Sequence, residues 1–483
     1  MLEKGSLKML SNRAFFIVPP TGLFYRDDRC QVSLKGVSNA PRPPLDLAYM
    51  SALLEENGFE CRMRDYPVEN GSWQDVEDDI RDFAPSMLVI YTTITSVKED
   101  LRACKIAKEI NPDMITIAKG GDTTISPEER LEMCRDLDIA IIGEPELTML
   151  EIAQGNNLKD IKGICYREDG KVVRTPRRPF IEDLDSLPFP SRHLLDQSKY
   201  VRPDTGEILT TIQSSRGCPA KCIYCLSRVV AGADLRLRSP RNVVDELEHC
   251  VTDYGIRNFF FRADTFTWDK EWVISVCREI ITRKLDIQWV ANSRANTVDD
   301  ERLVWMKKAG CWLVSFGVES GSQYILDMTK KGITLEQSRE ALRLAKKHRL
   351  KTFVTFLIGM PWDTKETIME TFDFAREIDG DFFEVILPYP FPGTRYYEIA
   401  KRDGLILDGA YDHMYDHFNS VVKTYHLSAD ELTELKKKSF WYLYARPRYI
   451  KKIISQCDSP KVFMNYLSYG YSKMKSYFPS QER

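Results

Sequence analysis

Three cysteines lie close together in the segment SSRGCPAKCIYCLSR, which spans residues 214 to 228. Cys218, Cys222 and Cys225 are separated by three and two residues, and no further cysteine or histidine is near enough in sequence to complete a zinc-finger pattern. Iron-sulfur clusters are ordinarily held by four thiolates, so three would leave one iron for an exogenous ligand. The short spacing argues against the alternative, a zinc site closed by a distant cysteine or histidine.

Composition sets the class of protein in which these cysteines act. The chain has 12 cysteines in 483 residues, and those outside the cluster are scattered singly, which is not the pattern of a disulfide framework. The first residues contain no apolar run typical of a signal peptide, and no segment reaches the roughly 18 apolar residues of a spanning helix. A cytoplasmic protein is therefore expected. The net charge of −3 gives no indication of a nucleic-acid partner.

Residues 12 to 155 alternate short apolar runs with helical patterns. The runs that predict strands are AFFIV, MLVIYT, MITIA and IAIIG, with a weaker candidate at ECRMRDY. Apolar strands separated by helices predict a doubly wound, Rossmann-like parallel sheet, in which ligands bind beyond the carboxyl ends of the strands. The segments at those ends are PPTG, TTITS, KGGDTT and GEPE. Ordinary turn chemistry explains any one of them, but four on one edge favour a bound ligand.

Residues 156 to 205 are predicted to be a linker, with a hairpin turn at Asp169 and Gly170. The alternation of strands and helices resumes from residue 206 to about 400 and contains six strand patterns: EILTTIQSS, NFFFRAD, IQWVANSR, WLVSFGVES, KTFVTFLIG and DFFEVILPYP. Six such strands predict a partial barrel with its active site at the strand carboxyl ends, where the cysteine cluster follows the first strand. Residues 401 to 483 are expected to form a helical C-terminal region.

The motif CPAKCIYC, with an aromatic residue before its last cysteine, resembles the signature of the radical S-adenosylmethionine (SAM) superfamily. FFFRADTFTWD, WVANSRAN, FGVESGS and TFLIGMPWDT resemble successive strand ends of that family's barrel. The resemblance implies that Cys218, Cys222 and Cys225 ligate a 4Fe-4S cluster whose unique iron is chelated by SAM. It also implies that Tyr224 approaches the adenine.

Other SAM contacts follow from the same resemblance. Arg294 and Glu319 would face the methionyl or ribose part of SAM, the alternative being a structural salt bridge at the barrel rim. Gly359 and Pro361 would pass beside the adenine. Asp264 is a further candidate for contact with SAM or substrate, and a helix N-cap is an equally good interpretation of it.

The segment from Gly120 to Ala153 resembles the cobalamin-binding domain that precedes the barrel in one large subfamily. The residues expected to line that cofactor are Thr92, Thr93, Gly120, Gly121, Thr123, Gly143 and Glu144. The chain has no histidine before residue 193, and Thr123 occupies the position where the subfamily often has histidine. We therefore expect no imidazole from this domain beneath cobalt.

The segment from Lys436 to the end contains 11 lysines and arginines against two acidic residues, interleaved with aromatic residues. A basic aromatic helix can lie on an anionic membrane surface, which would place the protein at the inner membrane face. The alternative is that these helices pack over the barrel opening and expose their lysines.

The family resemblance implies cobalamin-dependent methylation of an unactivated carbon by way of a 5′-deoxyadenosyl radical, with an external electron donor of the flavodoxin or ferredoxin type. Radical cyclisation, as in the anaerobic cyclase of chlorophyll synthesis, is the alternative reaction. A non-catalytic cobalamin or iron-sulfur sensor would not require the SAM-like strand ends. A hopanoid or other isoprenoid lipid is the expected substrate, because of the aromatic basic tail and the lipid methylases among similar proteins.

Overall fold

The computed structural model describes residues 11–27, 30–33, 41–411, 418–457 and 459–478. The described residues up to 33, together with 41–200 and 226–232, form one compact unit, and residues 201–225 and 233 onward belong to a second. Among the described residues, every helix is too short or too polar to span a membrane.

The first unit contains a mixed seven-stranded sheet in the order β4-β1-β5-β6-β7-β8-β9. The strands of this unit are β1 (Arg13–Val18), β2 (Phe24–Asp27), β3 (Cys30–Ser33), β4 (Glu60–Asp65), β5 (Met87–Tyr91), β6 (Ile115–Lys119), β7 (Ile139–Ile141), β8 (Ile164–Glu168) and β9 (Lys171–Arg174). The first five strands of the sheet are parallel, whereas β8 and β9 are antiparallel, and β2 and β3 form a separate hairpin.

Helices cover both faces of this sheet. They are α1 (Leu45–Glu56), α2 (Tyr66–Glu69), α3 (Trp73–Phe83), α4 (Val97–Asp100), α5 (Arg102–Ile110), α6 (Gly121–Ile125), α7 (Pro127–Met133) and α8 (Glu146–Ala153). Alternate residues of β5 enter different cores: Val89 packs with Leu47 of α1, and Leu88 packs with Ile80 of α3. Burial on both faces explains why the parallel strands are continuously apolar. The predicted doubly wound fold is confirmed.

The second unit contains a six-stranded parallel sheet in sequential order, as the six strand patterns predicted. Its strands are β10 (Leu209–Gln213), β13 (Asn258–Arg262), β14 (Gln288–Ser293), β15 (Cys311–Glu319), β16 (Lys351–Leu357) and β17 (Phe382–Ile386). Two short strands, β11 (Ser215–Arg216) and β12 (Arg236–Leu237), pair beside it. No pairing between β10 and β17 closes the described sheet, so it is a partial barrel.

Helices follow the barrel strands and then form the C-terminal region. After α9 (Ser227–Val230), which clusters with the first unit, they are α10 (Pro240–Tyr254), α11 (Lys270–Thr282), α12 (Asp300–Lys308), α13 (Gln323–Met328), α14 (Leu335–Lys347), α15 (Lys365–Glu377), α16 (Arg395–Arg402), α17 (Ala429–Tyr444), α18 (Pro447–Ser455) and α19 (Pro460–Tyr477). Short 3-10 turns occupy Leu158–Asp160, Leu184–Ser186, Arg192–Leu194, Gln197–Lys199 and Ala295–Thr297.

The two faces of the barrel sheet differ in burial. Val314, Phe316 and Phe356 are fully buried in the core shared with the surrounding helices. On β14, β15 and β16 the alternate residues point to the opposite face and are mostly partly exposed; Val290, Leu313, Phe353 and Leu357 are apolar examples, and Ile386 of β17 is also partly exposed. The barrel interior is therefore accessible and partly apolar.

Part of the segment predicted as a linker belongs to the first sheet. The hairpin predicted at Asp169 and Gly170 forms β8 and β9, and β8 pairs with β7 through Ile139 and Tyr166. This pairing covers the edge of β7, which would otherwise present unpaired backbone groups. The chain leaves the first unit at Tyr200.

Candidate functional site

The loop that carries Cys218, Cys222 and Cys225, the cysteine loop, begins at the carboxyl end of the first barrel strand. β10 ends at Gln213, and β11 then pairs with β12 beside the loop. Gly217 has a φ of 87°, a conformation that favours glycine, and this turn directs the chain into Cys218. The cysteine motif therefore lies at the carboxyl ends of the strands, which is where barrel enzymes have their active sites.

Ile223 anchors the middle of the loop. Its backbone N–H donates to Thr329 O at 3.1 Å, and its carbonyl accepts from Tyr396 N at 2.9 Å. Its side chain is buried in a cluster with Ile325 and Met360. The two residues on either side of Ile223 are Cys222 and Tyr224, so this anchor fixes the loop backbone at both.

The three cysteine side chains are the ones that would hold a 4Fe-4S cluster. The part of the chain that the structure describes shows no disulfide at any of the three; Cys218 is buried, and Cys222 and Cys225 are half-buried. Within the described residues, no three cysteine, histidine or carboxylate side chains converge on a point that one metal ion could occupy. A 4Fe-4S cluster needs no such convergence, because each thiolate binds a different iron. Burial, followed by the Asp264 charge, raises the pKa of Cys218, so metal binding must displace its proton.

Arg294 contacts the cysteine loop directly. It follows β14, and its Nη1 donates to Cys222 Sγ at 3.5 Å. Its Nη2 donates to Lys331 O and its Nε donates to Asn296 Oδ1. The described residues give Arg294 no carboxylate ion pair, so the alternative of a structural salt bridge does not hold for it.

Glu319 at the end of β15 does form a salt bridge. Its Oε1 accepts from Lys331 Nζ at 2.8 Å, and both side chains are largely buried. Glu319 has a φ of 71°, a strained conformation for a residue other than glycine, and such strain concentrates at functional sites. Gly317 allows this arrangement, because a Cβ there would lie 2.4 Å from Glu319 Oε1. No sequence pattern indicated that Lys331 belongs to the site.

The Tyr224 hydroxyl is buried next to these groups without a protein partner. Within the described residues its oxygen has no partner that meets hydrogen-bond distance and angle, although the Cys222 sulfur is near enough to contribute to the raised pKa. Burial, followed by the Glu319 charge, raises the pKa of Tyr224 well above its ordinary value. A buried hydroxyl without a partner indicates a ligand or water at this position, which fits SAM.

Asp264 is not a helix N-cap. The cap of α11 is Asp269, whose side chain accepts from Trp272 N at 2.8 Å. Asp264 is instead half-buried at the end of β13, near enough to Cys218 to affect its pKa. The interpretation as a cap is therefore wrong, and the position beside the cysteine loop remains.

The loop of Gly359 and Pro361 is organised by a carboxylate that the sequence reasoning missed. Asp363 is buried, and its Oδ2 accepts from Gly359 N at 2.9 Å and from Met360 N at 2.8 Å. Burial raises the pKa of Asp363 to about 6. Gly359 has a φ of 105°, and a Cβ there would meet Leu432 of α17 at 3.1 Å. Pro361 O accepts from Tyr425 N at 2.9 Å.

In the first unit, two of the predicted loops are hydrogen-bonded to each other. Thr92 donates to Asp122 Oδ1 at 2.8 Å. A Cβ on Gly120 would lie 2.4 Å from Thr92 O, so only glycine fits, and Gly121 begins α6. Thr93 N donates to Asp100 Oδ2 at 3.2 Å. The edge residues form one connected polar network beyond the carboxyl ends of β5 and β6.

The Thr123 hydroxyl is hydrogen-bonded to the backbone and has no proton left to donate to a ligand. Its Oγ1 donates to Gly120 O or Ile141 O, at 2.9 and 2.8 Å, and accepts from Gly120 N at 3.0 Å. These carbonyls take its single proton, and the side chain is fully buried against the backbone. Gly143 has a φ of 81°, and its N–H donates to Thr124 Oγ1 at 3.0 Å. Glu144 Oε2 accepts from Ile181 N at 2.7 Å. The side chains of Thr123, Thr124 and Glu144 therefore hold the backbone of these loops in place. Loops fixed in this way fit a cofactor that binds along the backbone without a protein imidazole.

Comparison with known proteins agrees with this arrangement. The family model for the radical SAM superfamily matches residues 212–375, and the one for the B12-binding domain matches residues 34–153. An uncharacterised methyltransferase of Pyrococcus horikoshii is 34% identical over 446 residues, which cover 92% of this chain and 94% of the relative. The anaerobic magnesium-protoporphyrin IX monomethyl ester cyclase of Rubrivivax gelatinosus is 32% identical over 72% of this chain and 65% of its own.

The solved structure of the radical SAM methyltransferase TsrM from Kitasatospora setae has the same fold. It superimposes with a TM-score of 0.66 at 20% identity, over 81% of this chain and 76% of that one. Two family matches in the predicted order and a full-length relative above 30% identity settle the classification. The chain belongs to the radical SAM superfamily, in the group of enzymes that combine a B12-binding domain with a barrel and use a 4Fe-4S cluster, SAM and cobalamin.

Proposed function

We propose that the protein is a cobalamin-dependent radical methylase that acts on an unactivated carbon of an apolar substrate. The observation that carries the proposal is the cysteine loop at the open end of a partial barrel, in a chain that also has a B12-binding domain. When bound, the cluster and SAM supply a 5′-deoxyadenosyl radical for hydrogen abstraction, and cobalamin supplies the methyl group. The relative from Pyrococcus horikoshii is named as a methyltransferase, which supports the same reaction class.

The cluster is assigned to the three cysteines and SAM to the residues around them. Cys218, Cys222 and Cys225 hold the iron, and Arg294 donates to one of their sulfurs. Tyr224 supplies the hydroxyl that has no protein partner within the described residues. The other residues proposed to contact SAM are Asp264, Glu319, Gly359 and Pro361. Asp363 acts indirectly, because it fixes the backbone at Gly359.

Cobalamin is assigned to the sheet edge of the first unit. The residues that would line it are Thr92, Thr93, Gly120, Gly121, Thr123, Gly143 and Glu144. Thr123 shapes the loop through backbone hydrogen bonds and leaves cobalt without a protein ligand from this position. The domain boundaries that accompany this assignment are 12–155 for the cobalamin domain, 206–400 for the barrel and 401–483 for the C-terminal region.

The apolar character of the substrate is supported by the barrel interior. Val290, Leu313 and Phe353 point inward and are partly exposed, so they could contact a bound substrate. The hopanoid C-3 methylase of Methylococcus capsulatus is 23% identical over 370 residues. A hopanoid or other isoprenoid lipid is the proposed substrate. Such a substrate would be reached from the inner face of a membrane, and we propose peripheral contact through the C-terminal region.

Radical cyclisation is the second candidate reaction. Its support is the relative in Rubrivivax gelatinosus, which is named as a cyclase and is 32% identical. The products distinguish the two reactions. A methylase uses one SAM for the radical, releasing 5′-deoxyadenosine and methionine, and a second SAM for the methyl group, releasing S-adenosylhomocysteine. A cyclase releases 5′-deoxyadenosine without stoichiometric S-adenosylhomocysteine.

The test is anaerobic turnover with SAM, methylcobalamin and a reduced flavodoxin or ferredoxin as the external donor. With a hopanoid or isoprenoid extract we expect both products in equal amounts and a lipid heavier by one methyl group. If the lipid is unchanged and the enzyme turns over a tetrapyrrole instead, the proposed lipid substrate is wrong. If 5′-deoxyadenosine forms without S-adenosylhomocysteine, the proposed methylation is wrong. A protein that forms neither product with any of these substrates would not be a methylase or a cyclase.

A further inference from the structure

The C-terminal helices carry an unusual share of exposed apolar side chains. Of the 14 large apolar residues that are exposed in the described part of the chain, seven lie between 441 and 478: Trp441, Ile450, Ile454, Met464, Leu467, Tyr471 and Phe478. Monomeric soluble proteins rarely concentrate exposed apolar groups in one region, and such concentrations mark interaction sites.

The inner face of α19 is fixed against the barrel. Lys473 is buried and donates to Glu384 Oε2 at 2.6 Å and to Phe383 O at 3.1 Å, both on β17. Near the other end of the helix, Asn465 donates to Asp204 O at 2.7 Å. A buried ion pair that loses its partner leaves an uncompensated charge, so α19 cannot easily rotate to bury its other face.

The outer face of α19 carries a stripe that we define as Met464, Leu467 and Tyr471. These residues are 61%, 51% and 63% exposed. Their spacing of three and four places them on one side of the helix. Lys461 and Lys475 continue the same side at its two ends, and both are exposed.

Helix α18 repeats this pattern. Its inner residue Tyr449 is buried and donates to Asp381 O at 2.8 Å. Ile450 and Ile454 are four residues apart and about half exposed, at 50% and 52%. Arg448 and Lys451 are exposed on the same helix.

This region is strongly basic. In the full sequence, residues 435–478 contain ten lysines and arginines and one acidic residue, Asp458. Lys436 and Lys473 are buried, and Lys452 is paired with Asp381 at 3.2 Å, which leaves seven of the ten. A basic rim around apolar stripes is complementary to an anionic lipid surface, which offers both phosphate charge and apolar depth. A symmetric dimer through the same face would instead bring like charges together.

We propose that α18 and α19 dock on an anionic lipid surface, with the α19 stripe and the two isoleucines of α18 entering the interface. The inference deepens the membrane contact proposed above and rests on it, but it does not depend on the reaction. The alternative was that the C-terminal helices only pack over the barrel. In this proposal the inner faces of α18 and α19 pack on the barrel and their outer faces contact the membrane.

The test is flotation of the full-length reconstituted protein with phosphatidylcholine vesicles that contain or lack phosphatidylglycerol. The wild type should float with the anionic vesicles only, and added salt should weaken the association. The double variant Leu467→Glu/Tyr471→Glu should partition at least tenfold less. Met133→Glu is the matched control, because Met133 is 50% exposed on α7 and lies outside the C-terminal region; it should float like the wild type.

Three outcomes would overturn the proposal. One is wild-type protein that stays at the bottom with both vesicle types, and another is a double variant that floats as well as the wild type. The third is a concentration-dependent dimer that the double variant abolishes, since the stripe would then bind a second copy. Iron content and deoxyadenosine formation are measured on every sample. Lost turnover with intact flotation would count against the proposed reaction and leave the lipid surface standing.

Discussion

The guanidinium of Arg294 lies against the sulfur of Cys222, with Nη1 at 3.5 Å from Sγ. This contact joins the end of β14 to the cysteine loop, and the same guanidinium reaches Lys331, whose side chain pairs with Glu319 at the end of β15. Hydrogen bonds and an ion pair therefore connect Cys222, which we propose as a cluster ligand, with the ends of two barrel strands. Hydrogen bonds to cluster sulfurs are among the factors that set reduction potentials.

Replacing Arg294 is expected to shift the potential of the cluster. A cationic donor at a ligand sulfur stabilises the reduced, more negative cluster, so Arg294→Gln should lower the reduction potential by tens of millivolts, where about 59 mV corresponds to a tenfold change for one electron. Arg294→Lys should shift it less. The measurement is a redox titration followed by electron paramagnetic resonance without SAM, with Arg241→Gln, an exposed arginine on α10, as the control. An unchanged potential together with weaker SAM binding would assign Arg294 to SAM alone.

Cluster retention should depend on the three cysteines of the loop. Because thiolate ligation holds the iron, Cys222→Ala should lose the broad visible absorbance and most of the iron after anaerobic reconstitution. Cys457→Ala, at a free cysteine after α18, should keep both. A full iron complement in the Cys218, Cys222 and Cys225 triple alanine variant would show that other residues bind the cluster.

Cobalamin should bind without a nitrogen ligand from the protein. The hydroxyl of Thr123 is held by Gly120 and Ile141, and the chain has no histidine before residue 193. Electron paramagnetic resonance of the Co(II) state detects an axial nitrogen by its hyperfine splitting. Nitrogen splitting that persists with a corrinoid whose own base lacks nitrogen would contradict this prediction.

The stability of the barrel should fall as pH rises past the titration of Asp363. Burial raises its pKa to about 6 in the folded protein, against an ordinary value of about 3.9 when unfolded. Between these two pH values the folded state binds the Asp363 proton more tightly than the unfolded state does. The stabilisation that this proton gives the folded state is therefore complete below pH 4 and is lost as pH rises through 6. The difference amounts to about 3 kcal/mol.

Urea unfolding at a series of pH values tests this prediction. Asp363→Asn should flatten the slope between pH 4 and 7, because an amide does not titrate. Asp373→Asn, on the exposed side of α15, is the control and should keep the wild-type slope. An equally steep slope in Asp363→Asn would mean that another group dominates the pH dependence in this range.

Much of the site could be predicted because it is local in sequence. The cysteines are fixed by spacing within eight residues, and the six barrel strands were found because each is a short apolar run bounded by helical patterns. Burial on both faces makes such strands conspicuous. The hairpin of β8 and β9 was also predicted, but its pairing with β7 was not, since strand pairing is a property of distant segments.

The sequence by itself determined the class of protein: two α/β units, a three-thiolate loop and the residue types at the strand ends. Only the tertiary structure decided which partners those residues have. Lys331 donates to Glu319 from a different loop, Arg294 donates to the Cys222 sulfur, and the Thr123 hydroxyl is hydrogen-bonded to backbone groups. Each of these contacts joins positions that are separated along the chain, and their geometry follows from how strands and loops pack. No local pattern of residues encodes that geometry.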